Sequence, residues 1–291
     1  MKLLKEVSII GTGALGNTLA RALDARNFIL TGLYNRSEKL LQPLVKDIKP
    51  ARYGSFPEAP SEIGAVCFIT VPDGEIEKVA RRLSTLSGDF AGKIIVHCSG
   101  SKTSDALSLL QQKGASVASF HPMQTFTAAS TAEFFSGIYF DIEGDKQAVS
   151  FLKHLAHLFE SHCIEIDPEA KPYLHASAVM ASNYLVALLD SASSIAQMGG
   201  IAEREARSAL LPLIKQSLQN SSDSHSLTEA LSGPIARGDV STVRAHIHLL
   251  EPNAGMVALY KQLGLQALKL ARKGNSISDE QHQALLKLLQ Q

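Results

Sequence analysis

Gly11-Thr12-Gly13-Ala14-Leu15-Gly16 is the stretch that decides the fold of this chain. It follows a short apolar strand pattern that ends at Ile10, and it opens an amphipathic helix pattern that begins at Ala14. In such a loop the first glycine permits a tight turn, the second lets the backbone approach a pyrophosphate, and the third permits close packing of helix on strand. The phosphates then lie at the helix N-terminus, where free N–H groups favour negative charge. The loop predicts a dinucleotide-binding Rossmann domain.

The first half of the sequence alternates short β-branched runs with amphipathic segments, which is the pattern of a parallel sheet covered by helices. The predicted strands are Val7–Ile10, Ile29–Tyr34, Ala65–Val71, Lys93–Cys98, Ala115–Phe120, Gly137–Ile142 and Cys163–Ile166, with a short strand near Arg52-Tyr53. The predicted helices between them are Ala14–Arg26, Gly74–Leu86, Thr103–Gln112 and Lys146–Ser161. We therefore predict an α/β fold with a doubly wound parallel sheet.

The strand pattern stops after Asp167-Pro168, and the rest of the chain has helical spacing interrupted by glycine and proline. The predicted helices are Glu169–Gln197, Ala202–Gln219, Ser224–Leu231, Val240–Leu250, Ala254–Lys273 and Ser278–Leu289. We take this change as a domain boundary, with a cofactor-binding Rossmann domain at 1–166 and an all-helical domain for substrate binding and dimerisation at 167–291. A homodimer is expected because amphipathic helices need partners and a two-fold interface is the commonest solution.

The composition of the chain bounds its partners and its compartment. Lys+Arg and Asp+Glu both total 28, so no bulk charge attracts nucleic acid or anionic lipid, and we expect a small-molecule partner. The three cysteines are far apart and lack metal-ligand spacing, so we expect no metal site and a reducing, cytoplasmic compartment. We expect no signal peptide, and no membrane helix either, because His175, Asn183 and Asp190 interrupt the longest apolar segment.

The end of the second predicted strand reads Tyr34-Asn35-Arg36-Ser37 and contains no acidic residue. A domain that prefers NAD usually places Asp or Glu there to bind the ribose 2′-hydroxyl. Arg36 can instead pair with a 2′-phosphate, and Asn35 and Ser37 can donate hydrogen bonds to it, so the sequence favours NADP. The alternative is that Arg36 is a solvated loop residue and Ser37 only caps the next helix.

Polar residues follow three further strands at the edge of the sheet where open α/β domains bind their ligands. Val71-Pro72-Asp73 ends the first of them; Asp73 as a cap of the next helix is the favoured interpretation, and a backbone contact of Val71 or Pro72 with the cofactor is the functional alternative. His121 follows the strand that ends at Phe120, and we predict that it exchanges a proton with the substrate, with Ser99 or Ser101 as its partner. For His97 a structural role inside the sheet is the favoured interpretation.

Seven motifs of this chain together resemble one family of largely uncharacterised oxidoreductases. They are the 11–16 loop, Asn35-Arg36-Ser37, His97-Cys98-Ser99-Gly100, His121-Pro122-Met123-Gln124, Tyr173-Leu174-His175-Ala176, Ser182-Asn183 and Gly233-Pro234-Ile235-Ala236-Arg237-Gly238-Asp239. The resemblance implies a Rossmann-like NADP-binding domain followed by a helical domain of unknown function. It also implies a place in the 6-phosphogluconate-dehydrogenase-like superfamily, beside ketopantoate reductase, pyrroline-5-carboxylate reductase and prephenate dehydrogenase, but it supplies no substrate.

Two members of that superfamily offer local comparisons. Prephenate dehydrogenases resemble this chain in a serine loop followed by a His-Pro-Met triplet, which implies that His121 is the hydrogen-bonding or acid–base residue and Ser99 or Ser101 its partner. Prephenate dehydrogenases commonly use NAD, whereas Asn35-Arg36-Ser37 of this sequence favours NADP. The hydroxyacid dehydrogenases carry Lys and Asn four residues apart on a helix where this chain has Lys171, His175 and Asn183, so that motif is not matched.

Three residues of the second half are candidates for holding the substrate. His175 and Asn183 are eight apart, which places them within about 80° of each other on a helix, so both can face one cleft. Arg237 lies in a Gly-Pro turn, where it either anchors an anionic substrate or only belongs to a helix connection. We therefore predict an NADP-dependent oxidoreductase that transfers a hydride between NADP(H) and a small carbonyl, imine or hydroxy compound. The alternative is a non-catalytic NADP-binding or sensing module with a helical association domain.

Overall fold

The computed structural model describes residues 4–291 and contains an eight-stranded sheet with the strand order β3-β2-β1-β4-β5-β6-β7-β8. The strands are β1 Glu6–Ile10, β2 Ile29–Tyr34, β3 Arg52–Gly54, β4 Val66–Ile69, β5 Ile94–His97, β6 Ser116–Pro122, β7 Tyr139–Gly144 and β8 His162–Glu165. The helices of the unit that contains this sheet are α1 Ala14–Asp24, α2 Glu38–Ile48, α3 Asp73–Ser84, α4 Ser108–Gln111, α5 Lys146–Leu158 and α6 Lys171–Ala181. The strand order and the crossover helices confirm the predicted doubly wound α/β fold.

A cluster of aromatic rings fills one side of the sheet where β6 and β7 meet. The rings of Phe120 and Phe140 stack with centroids 3.9 Å apart, and Phe135 and Phe159 stack at 5.0 Å. All four side chains are at most 1% exposed. Burial of this much aromatic surface stabilises the β6–β7 pairing, because each ring removes a large apolar area from water.

The sheet differs from the predicted all-parallel arrangement at β6 and β7, which pair antiparallel. Parallel neighbours are usually joined by a helical crossover. The connection between these two strands contains instead only a 3₁₀ turn over Ala132–Phe135. The strand β6 also continues through His121 and Pro122, beyond its predicted end at Phe120. As a result His121 lies in register with Asp141, directly across the ladder.

The chain divides into two compact units, the first ending at Ser182 and the second comprising Asn183–Gln291. Strands give way to helices after β8, which ends at Glu165, but the helix α6 still belongs to the first unit. Its first residue, Lys171, is fully buried there and pairs with Asp141 of β7. The single helix predicted over 169–197 is therefore divided at Ser182, between α6 and the helix that follows.

The regular secondary structure of the second unit, Asn183–Gln291, consists of helices. Its helices are α7 Asn183–Met198, α8 Glu203–Asp223, α9 Leu227–Ala230, α10 Val240–Leu250, α11 Ala254–Lys273 and α12 Asp279–Gln290. Side chains cap three of them: Asp239, Asn253 and Ser278 each accept a backbone N–H from the first turn that follows. Its buried core contains Val243, Leu268, Leu285 and Leu289, contributed by α10, α11 and α12.

One helical stretch of the described chain, Pro168–Met198, is long and apolar enough to cross a membrane by length and composition alone. Its most apolar window has a mean hydropathy of 1.2, and 6% of that window is buried. This is the segment in which the sequence analysis expects no membrane span, because His175, Asn183 and Asp190 interrupt it.

Candidate active site

The glycine loop has the geometry that a pyrophosphate needs. Gly11 has φ of +103°, and a Cβ there would meet backbone and side-chain atoms of Thr70 and Val71 at 2.9 Å. A Cβ at Gly16 would clash with the carbonyl of Gly11. A Cβ at Gly13 would have nothing within 4 Å, so this backbone faces open space at the N-terminus of α1. The loop thus fits a dinucleotide phosphate at Gly13 and excludes larger residues on either side.

A cavity of about 420 Å³ lies beside this loop, at the carboxyl ends of β1, β2 and β4. Six of the residues predicted to bind the cofactor line it: Gly11, Gly13, Asn35, Arg36, Val71 and Pro72. Thr12 and Ala14 line, with Gly13, a second cavity of about 280 Å³. Leu15, Gly16 and Ser37 are absent from both linings; Leu15 packs against the core.

Asn35 connects the glycine loop to the end of β2. Its side-chain amide donates to Thr12 Oγ1 at 2.7 Å, and its Oδ1 accepts the backbone N–H of Ser37 at 2.8 Å. Ser37 is the N-cap of α2, but its hydroxyl makes no capping hydrogen bond. Asn35 therefore fixes the shape of the pocket wall and leaves Arg36 as the residue of this triplet that reaches outward.

The rim of the larger cavity carries three cationic side chains and one carboxylate. Arg36, 78% exposed, lies 3.3 Å from Glu75, and the ammonium of Lys78 lies 2.7 Å from the same carboxylate. The hydrogen bond and charge of Lys78, followed by Arg36, lower the pKa of Glu75. The Arg82 guanidinium lies 3.9 Å above the ring of Phe56, and both also line the cavity. The rim has a net positive charge, which suits a phosphate group.

His121 and Lys171 share one buried carboxylate. The His121 Nδ1 atom lies 2.6 Å from Asp141 Oδ2, and the Lys171 ammonium bonds the other oxygen, Oδ1. The side chain of His121 is 16% exposed, whereas those of Asp141 and Lys171 are 2% and 0% exposed. A buried carboxylate with both oxygens bonded is held firmly, so Asp141 fixes the plane of the His121 ring.

His175 lies one helical turn after Lys171 and meets His121 edge to face, with ring centroids 5.8 Å apart. Both rings pack on Gly100. A Cβ at Gly100 would lie 2.8 Å from His121 Nε2 and would clash with His175 Nδ1. The Nδ1 atom of His175 is buried and has no hydrogen-bond partner among residues 4–291. Two imidazole nitrogens therefore converge beside Gly100.

The two predicted serine partners of His121 are engaged within their own loop. Ser99 Oγ accepts the backbone N–H groups of Ser101 and Lys102 at 3.1 and 3.0 Å. Ser101 Oγ donates to Asp73 Oδ2 at 2.8 Å. In the described chain neither hydroxyl is hydrogen-bonded to His121, although the loop that carries them contacts its ring through Gly100. The pairing of His121 with either serine stays a prediction.

His97 has the structural environment expected of it. Its Nε2 pairs with the carbonyl of Thr103 at 2.9 Å, and its Nδ1 accepts the Ser99 N–H at 3.2 Å. Burial lowers the pKa of His97 to about 4, and burial raises the pKa of the neighbouring Cys98 thiol to about 12. Both groups are therefore neutral near pH 7, and His97 shapes the serine loop.

Asn183 and Arg237 belong to the second unit. Asn183 begins α7, and Arg237 lies in the turn before α10, where its carbonyl accepts a hydrogen bond from Gln281 at 3.5 Å. Their roles in substrate binding stay predictions.

Asp141 and Lys171 are the site residues that the sequence analysis did not select. Asp141 lies inside a strand near its beginning, whereas the predicted site residues of the sheet follow strand ends. A usable signal is the pair of acidic residues in Tyr139-Phe140-Asp141-Ile142-Glu143, because two carboxylates in one strand of a covered sheet require partners.

Two family models match the chain. A Rossmann-like domain matches residues 2–122, and a domain of unknown function (DUF2520) matches residues 138–267. The chain thus combines a Rossmann-like domain with this second domain, as the resemblance implied. Among curated proteins none matches the sequence.

Several solved structures share the fold. A protein from Thermotoga maritima is 27% identical with a TM-score of 0.72, over 92% of this chain and 99% of the other. A protein described as a candidate NADP oxidoreductase from Bacteroides fragilis is 22% identical with a TM-score of 0.70, over 90% and 96%. A reductive aminase from Aspergillus terreus, solved with NADPH4, cyclohexanone and allyl amine, is 16% identical with a TM-score of 0.63, over 98% and 99%.

The contact of both imidazoles with Gly100 gives a first test. In Gly100→Ala the new methyl group must displace His121 or His175, so we expect the free energy of unfolding in urea to fall by about 1–3 kcal/mol. The imidazole NMR signals of both histidines should shift as well. Gly255→Ala is the matched control, because the nearest atom to its added Cβ is 3.5 Å away. Unchanged stability and unchanged imidazole signals in Gly100→Ala would contradict the described packing.

Proposed function

We propose that this chain, in which a Rossmann-like domain precedes the domain of unknown function, is an NADP-dependent oxidoreductase. It transfers a hydride between NADP(H) and a small carbonyl, imine or hydroxy compound. The observation that carries the proposal lies within the first unit. A phosphate-ready glycine loop and the His121–Asp141 pair occur at the same edge of one sheet, where open α/β domains bind their ligands.

The cofactor assignment is supported by the fit of the cavity. Gly11 and Gly13 leave room for the pyrophosphate, and Val71 and Pro72 offer a backbone wall. Arg36 at the rim would pair with a ribose 2′-phosphate, with help from Lys78 and Arg82, and Glu75 is already neutralised by its two cationic neighbours. When bound, NADP(H) supplies the two-electron hydride chemistry that no amino-acid side chain provides.

Cofactor preference is the direct test of the rim. We expect the wild-type chain to bind NADPH at least about tenfold more tightly than NADH, a difference of roughly 1.4 kcal/mol, because only NADPH has a 2′-phosphate for Arg36. Arg36→Ala should remove most of this preference in isothermal titration calorimetry. Arg81→Ala is the control, since Arg81 is exposed on the same helix as Lys78 but does not line the cavity. Equal binding of the two cofactors by the wild type would overturn the assignment.

His121 is the proposed acid–base residue. Its Nδ1 is held by Asp141, so its Nε2 is the atom available to the substrate. His175 would bind a polar substrate atom through its buried Nδ1, which lacks a hydrogen-bond partner in the described residues. Asn183 and Arg237 remain proposed substrate-binding residues of the second unit, and Ser99 or Ser101 a proposed partner of His121.

Replacement of His121 tests this role. His121→Asn should lower turnover by about 10²–10⁴-fold with little change in NADPH affinity, because proton transfer is lost and the cofactor cavity is untouched. The limb of the pH–rate profile that reports this proton transfer should disappear in the variant. His154→Asn is the control, because His154 is exposed on α5, and this variant should behave like the wild type.

Turnover is measured by NADPH oxidation or NADP⁺ reduction across a panel of oxo acids, aldehydes, imines, alcohols and amines. A chain that binds NADPH but turns over none of them would be a sensor and not an enzyme.

The helices after Lys171 carry much exposed apolar surface. Met180 is 67% exposed, Val186 is 69% exposed and Leu213 is 62% exposed, on α6, α7 and α8 respectively. Apolar patches of this kind mark interaction sites. We propose that a second copy of the chain covers them in a homodimer, and that the protein is cytoplasmic, in keeping with its three free cysteines.

Sedimentation equilibrium tests the dimer. We expect a two-chain mass at micromolar concentration for the wild type, and a shift towards the monomer in Val186→Glu because a buried carboxylate without a partner opposes association. Ile29→Glu is the control, because Ile29 is also exposed, at 56%, but belongs to the first unit. A monomeric wild type would contradict the proposal.

A further inference from the structure

The buried Lys171–Asp141–His121 chain defines which proton sits on which nitrogen. A carboxylate only accepts hydrogen bonds, so the His121 Nδ1 atom, 2.6 Å from Asp141 Oδ2, must carry the hydrogen of that bond. In a neutral imidazole the second nitrogen, Nε2, is then unprotonated. This atom lies on the side of the ring that faces Gly100. Asp141 therefore presents Nε2 of His121 as a base.

Lys171 determines how strongly the negative charge of Asp141 attracts a proton to the His121 ring. Its ammonium is fully buried and bonds the same carboxylate, so the pair Lys171–Asp141 is neutral by itself. A protonated His121, whose side chain is 16% exposed, would add a positive charge that this pair does not balance. Charge without its own counterion is costly where water is largely excluded, so the neutral pair supports a protonated ring less than a lone Asp141 carboxylate would.

Among the described residues, the other titratable side chains near Lys171, Asp141 and His121 supply no counterion for a protonated His121. His97 on β5 and the thiol of Cys98 are neutral near pH 7, because burial lowers the pKa of the first to about 4 and raises that of the second to about 12. His175 on α6 is another imidazole. Near the serine loop, Asp73 accepts a hydrogen bond from Ser101. Lys102 forms an ion pair with Glu77. Glu143, two residues after Asp141 on β7, is also buried and accepts hydrogen bonds from the backbone N–H and hydroxyl of Ser104. Within residues 4–291 Asp141 is thus the one carboxylate bonded to His121, and Lys171 already balances it.

We infer that Lys171 and Asp141 are positioning residues that hold His121 with its Nε2 unprotonated and facing Gly100, so that the site accepts a proton as an alcohol or amine is oxidised. This inference rests on the proposed oxidoreductase function and deepens it. The substrate gives up a hydride, with both electrons of its C–H bond, to bound NADP⁺, and its O–H or N–H proton passes to His121 Nε2. A C=O or C=N bond remains. The reverse reduction requires His121 to be protonated first, so it favours lower pH.

Two single substitutions should act in opposite directions. Lys171→Met leaves Asp141 without its balancing charge, so the NMR titration midpoint of His121 should move to higher pH by at least about one unit, a tenfold change in proton affinity. The pH limb of the oxidation rate should move with it. Asp141→Asn leaves the charge of Lys171 beside the ring, so the midpoint should move to lower pH, and the Nδ1–H form should no longer dominate. Lys153→Met, on a surface lysine paired with Glu165, is the matched control and should move neither.

The NMR measurement uses the whole chain without cofactor, so it does not depend on activity. Imidazole ¹⁵N signals of His121 are assigned by their loss in His121→Asn, and the wild type should show the neutral Nδ1–H form at pH 8. If a single variant fails to fold because one buried charge is left alone, the double variant Lys171→Met/Asp141→Asn removes both charges and keeps the test available. Its titration midpoint should lie between those expected for the two single variants.

An Nε2–H form in the wild type, or no movement of the midpoint in Lys171→Met, would overturn the inference. A correct NMR result with no turnover on any substrate would instead contradict the proposed function.

Discussion

The carboxylate of Asp141 constrains more of this structure than any other group we have described. Its side chain is 2% exposed and lies on a strand of the sheet in the first unit, where an unpaired negative charge would oppose folding. It therefore needs a donor for each oxygen. Lys171 and His121 supply these donors, and this requirement ties the start of α6 to the face of β7 and fixes the ring of His121 at the end of β6.

The same interaction joins the two family segments of the chain. His121 is the second-last residue of the Rossmann-like match at 2–122, whereas Asp141 and Lys171 lie in the match at 138–267. The antiparallel turn of the sheet at β6 and β7 brings them into register. A residue on the cofactor-binding part is thus oriented by residues of the part whose function is unassigned, so neither segment contains the arrangement alone.

The local sequence predicts what local forces determine. The glycine loop, the alternation of strands and helices, and the lack of an acid at Asn35-Arg36-Ser37 all depend on neighbours within a few residues, and the fold they predict is confirmed. The predicted parallel direction of β7 is wrong, because the direction of this strand depends on the long connection after Pro122. Asp141 and Glu143 alternate with Phe140 and Ile142, which is the pattern of a strand with one solvated face. Both side chains are buried instead. Asp141 bonds to Lys171, 30 residues away in the sequence, and Glu143 bonds to Ser104, 39 residues away, and no local pattern contains such distant contacts.

The boundary at Ser182 has an evolutionary consequence. Every residue of the Lys171–Asp141–His121 chain, and His175 with it, is encoded before that position, in the same compact unit as the glycine loop. Selection for the hydrogen bonds of His121 with Asp141 and of Asp141 with Lys171 therefore acts on residues that precede Ser182.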